Sequence, residues 1–235
     1  MLSIDTTFNI GDIYVTSTTY GHLLLEDRRT RKPPLLLGPT LIHTRKNSDT
    51  FIYFGATIAG LDNGTKNIRF VGSDREDAVE KGMSPYLLIA TWLACKRHVE
   101  EDCKRELRSI GVSAEYCTAF LQDIFGSDVN HEKGLIDSDG CKDFDAKLES
   151  LKNVWNSREK RSRGAVLSNS SEAEFHKYFV ANVAEDMKKM ISPVRKRAGL
   201  GESFFYNNGA ESKHQRIKKP QKGEAEVVPP PPWDW

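Results

Sequence analysis

Apolar and polar positions divide the chain into a β-rich first part and a helical second part. A concentration of β-branched and aromatic residues at 13–20 predicts a strand. Apolar residues at helical spacing predict a helix over 49–60 that is ended by its terminal glycine. Two short apolar runs, 68–71 and 86–93, are predicted to be further strands.

The periodicity becomes helical from Cys95 onward. Apolar residues recur every four positions from Cys95 to Leu107, which predicts a helix with one buried face. Three more helices are predicted further along the chain, at 113–125, 142–160 and 171–191. The last of them begins with a capping-box pattern at Ser171 and Glu174, and Pro193 is expected to end or kink it. The proline-rich residues 220–235 are predicted to form an extended tail.

Composition narrows the function classes without selecting one. The 235 residues are 38% hydrophobic and carry a net charge of +1, and no apolar run approaches the roughly 18 residues that would span a bilayer. Four cysteines in a chain of this length do not resemble a secreted disulfide framework, so reduced thiols are expected. The segment 195–222 contains eight Lys or Arg residues against two Glu. It is either a surface attracted to a phosphate backbone or an ordinary solvated surface.

Three acidic residues stand where a metal site would need them. Asp5 follows the first apolar residues of the chain, Asp74 lies just beyond the strand 68–71, and Glu211 begins a predicted short helix. Two or three carboxylates can hold a pair of Mg²⁺ ions about 4 Å apart. Each residue also has a structural interpretation. Asp5 would be a turn residue near a frayed terminus, Asp74 a cap of the following helix, and Glu211 the partner of Asn208 in a capping box.

Five segments in order resemble the transposases of Mutator-like elements. The segment 5–16, which begins Asp-Thr-Thr-Phe-Asn, is similar to the first-strand segment of that family, and the match continues through 32–39. The segment 71–78, Val-Gly-Ser-Asp-Arg-Glu-Asp-Ala, is similar to the family's second-acid segment. Cys-Lys-Arg-His at 95–98 matches its C-x-x-H element. Phe-Phe-Tyr-Asn-Asn-Gly-Ala-Glu-Ser at 204–212 resembles the segment that carries the third acid.

This resemblance implies an α/β fold of the ribonuclease H-like type. The expected architecture is a mixed sheet flanked by helices, with an all-helical insertion before the last catalytic helix. The implied division of the chain is 1–110 for the first part of the core, 111–200 for the insertion, 201–219 for the final catalytic helix and 220–235 for the tail.

The resemblance also implies a chemistry. Such transposases cleave DNA at the ends of an element with Mg²⁺, for which Mn²⁺ can substitute, and the released 3′-hydroxyl attacks target DNA. By position, Asp5, Asp74 and Glu211 would be both the catalytic residues and the metal ligands, with Cys95 and His98 beside them. The expected partners are DNA and further copies of the chain, with no membrane, and the expected location is the nucleus. The residues expected to contact DNA are Arg75, Lys213, Arg216, Lys218 and Lys219.

Two features qualify the resemblance. The usual glycine after the second acid is replaced by Arg75, and the chain starts only four residues before Asp5, where the family generally carries a DNA-recognition domain. The sequence is therefore expected to be a truncated copy, a fragment of a longer protein or a reduced relic. Zinc is not expected, because Cys95 and His98 supply two ligands and Cys103 is the sole third candidate nearby. The alternatives are a non-catalytic descendant that binds DNA or protein, and a plain metal-dependent nuclease without strand transfer.

Overall fold

The computed structural model describes residues 1–10, 12–21, 24–29, 31, 33–61, 63–127, 132–164 and 173–207. Glu211, the helix expected around it, the four basic residues that follow it and the tail 220–235 therefore lie outside the described residues. Within the described part, no helix has both the length and the apolar character needed to cross a membrane.

A mixed five-stranded sheet forms the centre of the structure. Its strands are β1 (Leu2–Ile10), β2 (Ile13–Gly21), β3 (Leu35–His43), β4 (Phe70–Ser73) and β5 (Thr91–Ala94). They lie in the order β3-β2-β1-β4-β5, where β1, β2 and β3 are antiparallel and β4 and β5 run parallel to β1. Parallel neighbours need a crossover, and helices supply it between β3 and β4 and between β4 and β5.

Eight helices are found in the described residues. They are α1 (Ser48–Leu61), α2 (Asp77–Met83), α3 (Lys96–Ser109), α4 (Ala114–Phe125), α5 (Cys141–Arg163), α6 (Phe175–Asn182), α7 (Ala184–Lys188) and α8 (Ser192–Arg197). The predicted α/β class, with helices flanking a mixed sheet, is confirmed.

Three local predictions are wrong. The run 86–93 is not one strand, because only its end belongs to β5, while Leu88 and Ile89 are exposed on the connection before it. The helix predicted over 171–191 is divided into α6 and α7 at Val183. Pro193 lies in the first turn of α8, where its missing N–H costs nothing, so it starts a helix instead of ending one.

The start of α6 is capped by another helix. Residue 171 of the expected capping box lies outside the described residues, and Glu174 makes no side-chain capping bond. The carboxylate of Glu159 on α5 instead accepts hydrogen bonds from the backbone N–H groups of Glu174 and Phe175, at 3.0–3.1 Å. A buried carboxylate at a helix N-terminus satisfies donors that the helix itself leaves open.

Each face of the sheet is covered by its own apolar core. Leu2 and Ile4 of β1 and Val71 of β4 pack with α1 and α2 on one face. Leu93 of β5 packs on the other face with α3 and the helical block α4–α8, around the buried indole of Trp155. Because side chains alternate along a strand, Asp5 and Asp74 lie on the second face, one residue beyond Ile4 and three beyond Val71. The helical block thus shares a core with the sheet face that carries the acids.

Candidate metal centre at the ends of the parallel strands

The two N-terminal acids come together where the parallel pairing of β1 with β4 ends. Ile4 of β1 is opposite Ser73 of β4, so the next residues along, Asp5 and Asp74, are neighbours across the strand pair. Asp5 is only 5% exposed, and its carboxyl shares a hydrogen bond with that of Asp74. Two carboxyls in such contact need a proton or a cation between them.

The structural interpretations of these two acids are wrong. Asp5 is not a turn residue near a frayed end, because it lies inside β1 and is paired with Ser17 of β2. Asp74 does not cap the following helix, because the N-cap of α2 is Glu76. Both side chains are therefore available for a task other than ending a helix or a strand.

Cys95 and His98, at the start of α3, lie close to Asp74 of the carboxyl pair. Cys95 is the N-cap of α3 and is buried, and His98 lies in the first turn of that helix. The His98 Nδ1 atom is 3.0 Å from Asp74 Oδ1. Hydrogen bonds to Asp74 and Cys95 raise the pKa of His98 to about 10, although its burial acts in the opposite direction. Without metal, an imidazolium therefore lies against the Asp74 carboxylate.

Asp74 remains ionised in this environment. Burial alone would raise its pKa, but hydrogen bonds from His98, Asn207 and Asp5, together with the His98 charge, hold the pKa of Asp74 below its usual value. A carboxylate kept ionised in a half-buried position is a suitable ligand for a divalent cation.

Asn207 is a site residue that the sequence analysis did not single out. Its Nδ2 group donates hydrogen bonds to Asp74 Oδ1 at 3.0 Å and to the Ile4 carbonyl at 3.2 Å, so one amide links β1 to β4. Its backbone N–H points to Cys95 Sγ at 3.4 Å. The signal that was present is its place in the segment resembling the third-acid motif, four residues before Glu211.

The chain before Asn207 is held against the sheet by one aromatic ring. Phe205 lies over Gly72 of β4, so closely that a Cβ atom at position 72 would overlap the ring. The Phe205 carbonyl accepts a hydrogen bond from the backbone N–H of Lys96, the first residue of α3, at 3.1 Å. Glycine at position 72 thus leaves room for the Phe205 ring against β4, and the chain then reaches Asp74 through Asn207.

The third acid and the basic residues near it lie outside the described residues. These are Glu211, Lys213, Arg216, Lys218 and Lys219. Asn207, the last described residue before this segment, contacts Asp74 directly.

Arg75 is engaged by the protein. Its guanidinium forms ion pairs with Asp102 of α3 and with Asp186 of α7, the latter at 2.7 Å, and it donates to the carbonyl of Asn182. These contacts join the end of β4 to the helical block. We therefore infer that Arg75 stabilises the fold, whereas the sequence led us to expect a contact with DNA phosphate.

Two basic side chains of the segment 195–222 also pair with groups of the protein itself. Arg195 is 2% exposed and donates hydrogen bonds to the carbonyls of Ile136 and Met190, and its other terminal nitrogen pairs with Asp137 at 3.0 Å. Lys196 pairs with Glu202 at 3.1 Å. The surface charge expected from the run 195–197 is correspondingly smaller.

Replacing Arg75 with alanine is expected to lower the free energy of unfolding by about 2 kcal/mol, because two half-buried carboxylates lose their partner. Arg105→Ala is the matched control. Arg105 also pairs with Asp102, but its side chain is 73% exposed, so its loss should cost under about 0.5 kcal/mol. Urea denaturation of both variants measures the difference. Equal stabilities would show that Arg75 does not join the strand to the helical block.

A cleft opens between α3, α4 and the segment that leads to Asn207. It has a volume of about 770 Å³ and extends from Tyr206 and Lys96 along α3 and α4. Its charged lining residues are Lys96, Lys104, Glu100, Glu132, Asp137 and Glu202. With carboxylates in excess, this cleft does not favour a phosphate backbone.

Asp74 also belongs to a second set of potential metal ligands. One ligand atom each from Asp74, Cys95 and His98 lies within 4.8 Å of the others. Cys103, the third zinc ligand considered from the sequence, is not part of this set: it is buried in the helical core, and burial raises its pKa to about 12. Asp74 is therefore the candidate for a third metal ligand beside Cys95 and His98.

A comparison of the chain with models of protein families finds no family that matches, and a comparison with curated proteins finds no match.

Proposed function

We propose that the protein is a catalytic core of the transposase type, with a ribonuclease H-like fold, which cleaves DNA phosphodiesters with Mg²⁺. The observation that carries this proposal is the contact between the Asp5 and Asp74 carboxyls, one residue beyond the last parallel pair of β1 and β4. The order of elements also supports it, because the helical block precedes the segment that leads to Glu211.

The donor set fits the proposed metal. Mg²⁺ prefers carboxylate oxygens, and a buried carboxyl pair is more stable when a cation lies between its members. Asp5 and Asp74 would hold the ion, with Glu211 as the third ligand. Bound Mg²⁺ supplies polarisation of the attacking oxygen and stabilisation of the departing one.

The surrounding residues orient the two acids. The Asn207 amide fixes the Asp74 carboxylate relative to β1, and the antiparallel pairing of β1 with β2 fixes Asp5. Such neighbours hold a ligand in one rotamer and so reduce the cost of ordering the site when a cation binds. Lys213, Arg216, Lys218 and Lys219 would contact the DNA backbone next to Glu211. A DNA substrate would place the protein in the nucleus, where it would act as an oligomer.

The experiment that tests this function is nicking of supercoiled plasmid DNA in Mg²⁺ or Mn²⁺. We expect the wild-type protein to nick and Asp74→Asn to fall to background, because asparagine removes the ligand charge but keeps the side-chain shape. The control is Asp77→Asn, three residues away, whose side chain is 84% exposed and pairs only with Lys81 among the described residues. It should retain wild-type nicking.

Three outcomes separate the alternatives. Nicking without joining of DNA ends would indicate a plain nuclease. A folded wild type that shifts DNA in a salt-dependent manner but leaves every phosphodiester intact would support the non-catalytic descendant. Equal nicking by wild type and Asp74→Asn would refute the proposed site.

A further inference from the structure

We propose that Cys95, His98 and Asp74 form a binding site for one thiophilic divalent cation of the Zn²⁺ type, next to the carboxyl pair. The three side chains come from the end of β4 and the first turn of α3, so two rigid elements hold them. This site shares Asp74 with the carboxyl pair, but its metal binding can be measured without DNA cleavage.

The ligand types select the metal. A thiolate and an imidazole are ligands that Zn²⁺ accepts readily and Mg²⁺ does not, and a carboxylate completes a set of three. The thiolate and the carboxylate together balance the two positive charges of the ion. Three protein ligands with a fourth position left to water is the arrangement of zinc sites that remain open to solvent.

The geometry is close to what a tetrahedral ion requires. The ligand atoms of a tetrahedral zinc site lie about 3.3–3.8 Å apart, given zinc–ligand bonds of about 2.0–2.3 Å. Here the three atoms are all within 4.8 Å of one another, and His98 Nδ1 is 3.0 Å from Asp74 Oδ1. Side-chain movements of about 1 Å would bring the three ligand atoms to the distances of a tetrahedral site. The side chains of His98 and Asp74 are 27% and 30% exposed, which leaves a path for the ion.

A second, independent observation comes from Asn207. This residue is 1% exposed, and its Oδ1 atom meets no hydrogen-bond donor in the described part of the chain. The amide orientation is fixed, because Nδ2 must face the two oxygens of Asp74 and Ile4. A buried carbonyl oxygen without a donor is costly. A water molecule on the cation, next to Asp74 and Cys95, would donate to this oxygen and remove that cost.

The test is titration of the full chain with Co²⁺, which replaces Zn²⁺ and reports thiolate ligation by a charge-transfer absorption band. We expect one equivalent of Co²⁺ to produce the band, Zn²⁺ to remove it, and excess Mg²⁺ to leave it unchanged. Cys95→Ser should abolish the band. Cys141→Ser, which changes the one exposed thiol among the described cysteines, should keep it.

A second variant guards against misfolding of Cys95→Ser, since Cys95 is buried. His98→Gln should keep the fold by circular dichroism but weaken Co²⁺ affinity by more than the roughly 10–100-fold that loss of an outer-shell partner costs. A band that persists in Cys95→Ser, disappears in Cys141→Ser, or fails to form with folded wild type would overturn the proposal. If the wild-type protein forms the Co²⁺ band but does not nick DNA, only the proposed function is rejected.

Discussion

Replacing Asp5 with asparagine is expected to abolish Mg²⁺-dependent DNA cleavage and, at the same time, to make the metal-free protein more stable. The two effects have one cause. Asp5 is buried against Asp74, and two carboxyls in contact either repel each other or share a proton that must be taken up at neutral pH. An asparagine amide fits the same space and donates a hydrogen bond to Asp74, so we expect a gain of about 1–2 kcal/mol.

The same substitution should remove the response of stability to metal. In the wild type, Mg²⁺ at a hundred times its dissociation constant should raise the free energy of unfolding by about 2.7 kcal/mol. In Asp5→Asn this increase should vanish, and nicking should fall at least about 10³-fold, because several kcal/mol of charge stabilisation is lost.

Urea denaturation with EDTA and with Mg²⁺ measures both parts, and Asp77→Asn serves as the control because its exposed carboxylate lies outside the pair. That control should keep the Mg²⁺ response and the nicking. If Asp5→Asn is less stable than wild type without metal, the carboxyl pair is not a source of strain. If it retains the Mg²⁺ response, Asp5 is not a ligand.

The secondary structure could be predicted where burial follows a regular period. The helix after Cys95 has one buried face, so the sequence records its period directly. The strand at 13–20 was predictable for another reason: five consecutive residues of β2 are buried, and it was its β-branched and aromatic residues that indicated a strand. The run 86–93 failed because a continuous apolar stretch does not show which residues are covered. Leu88 and Ile89 lie on an exposed connection, whereas the shorter segment that pairs with β4 was hidden within the run.

The candidate site could be predicted only as far as chain order allows. The sequence predicts Asp5 on the first strand and Asp74 just beyond a later one, and these positions are neighbours once β1 and β4 are known to be parallel and adjacent. That adjacency is not present in either segment alone. Glu211 could be tied to them through the sequence resemblance, but its position lies outside the described residues.

Asn207 and Arg75 show why the remaining contacts could not be predicted. Asn207 reaches the Ile4 carbonyl across 203 positions of the chain, and Arg75 reaches Asp186 across 111. The sequence around each residue is compatible with several partners, and the choice is made by the packing of distant elements. From the sequence, a positively charged Arg75 next to a predicted metal ligand indicates a contact with DNA phosphate. In the structure, Arg75 instead forms ion pairs with the carboxylates of Asp102 and Asp186.

Replacing Gly72 with alanine is expected to lower the free energy of unfolding by about 3 kcal/mol and to impair DNA nicking, although alanine is intrinsically better suited to a strand than glycine. The added Cβ would overlap the ring of Phe205, which is buried against β4. Overpacking of this kind typically costs about 1–3 kcal/mol, and displacing the ring exposes apolar surface as well. Movement of Phe205 also shifts Asn207, which then releases Asp74 and the Ile4 carbonyl.

Gly60→Ala is the matched control, because a Cβ at that position of α1 meets no atom within 4 Å. Alanine there should stabilise the helix by up to about 1 kcal/mol. A Gly72→Ala, Phe205→Leu double variant should recover part of the lost stability, with a coupling of about 1–2 kcal/mol in a double-mutant cycle measured by urea denaturation. Strictly additive effects would show that the cost at position 72 arises elsewhere. Recovery of stability without recovery of nicking would indicate that the aromatic ring, and not only its volume, is needed to present Asn207 to the carboxyl pair.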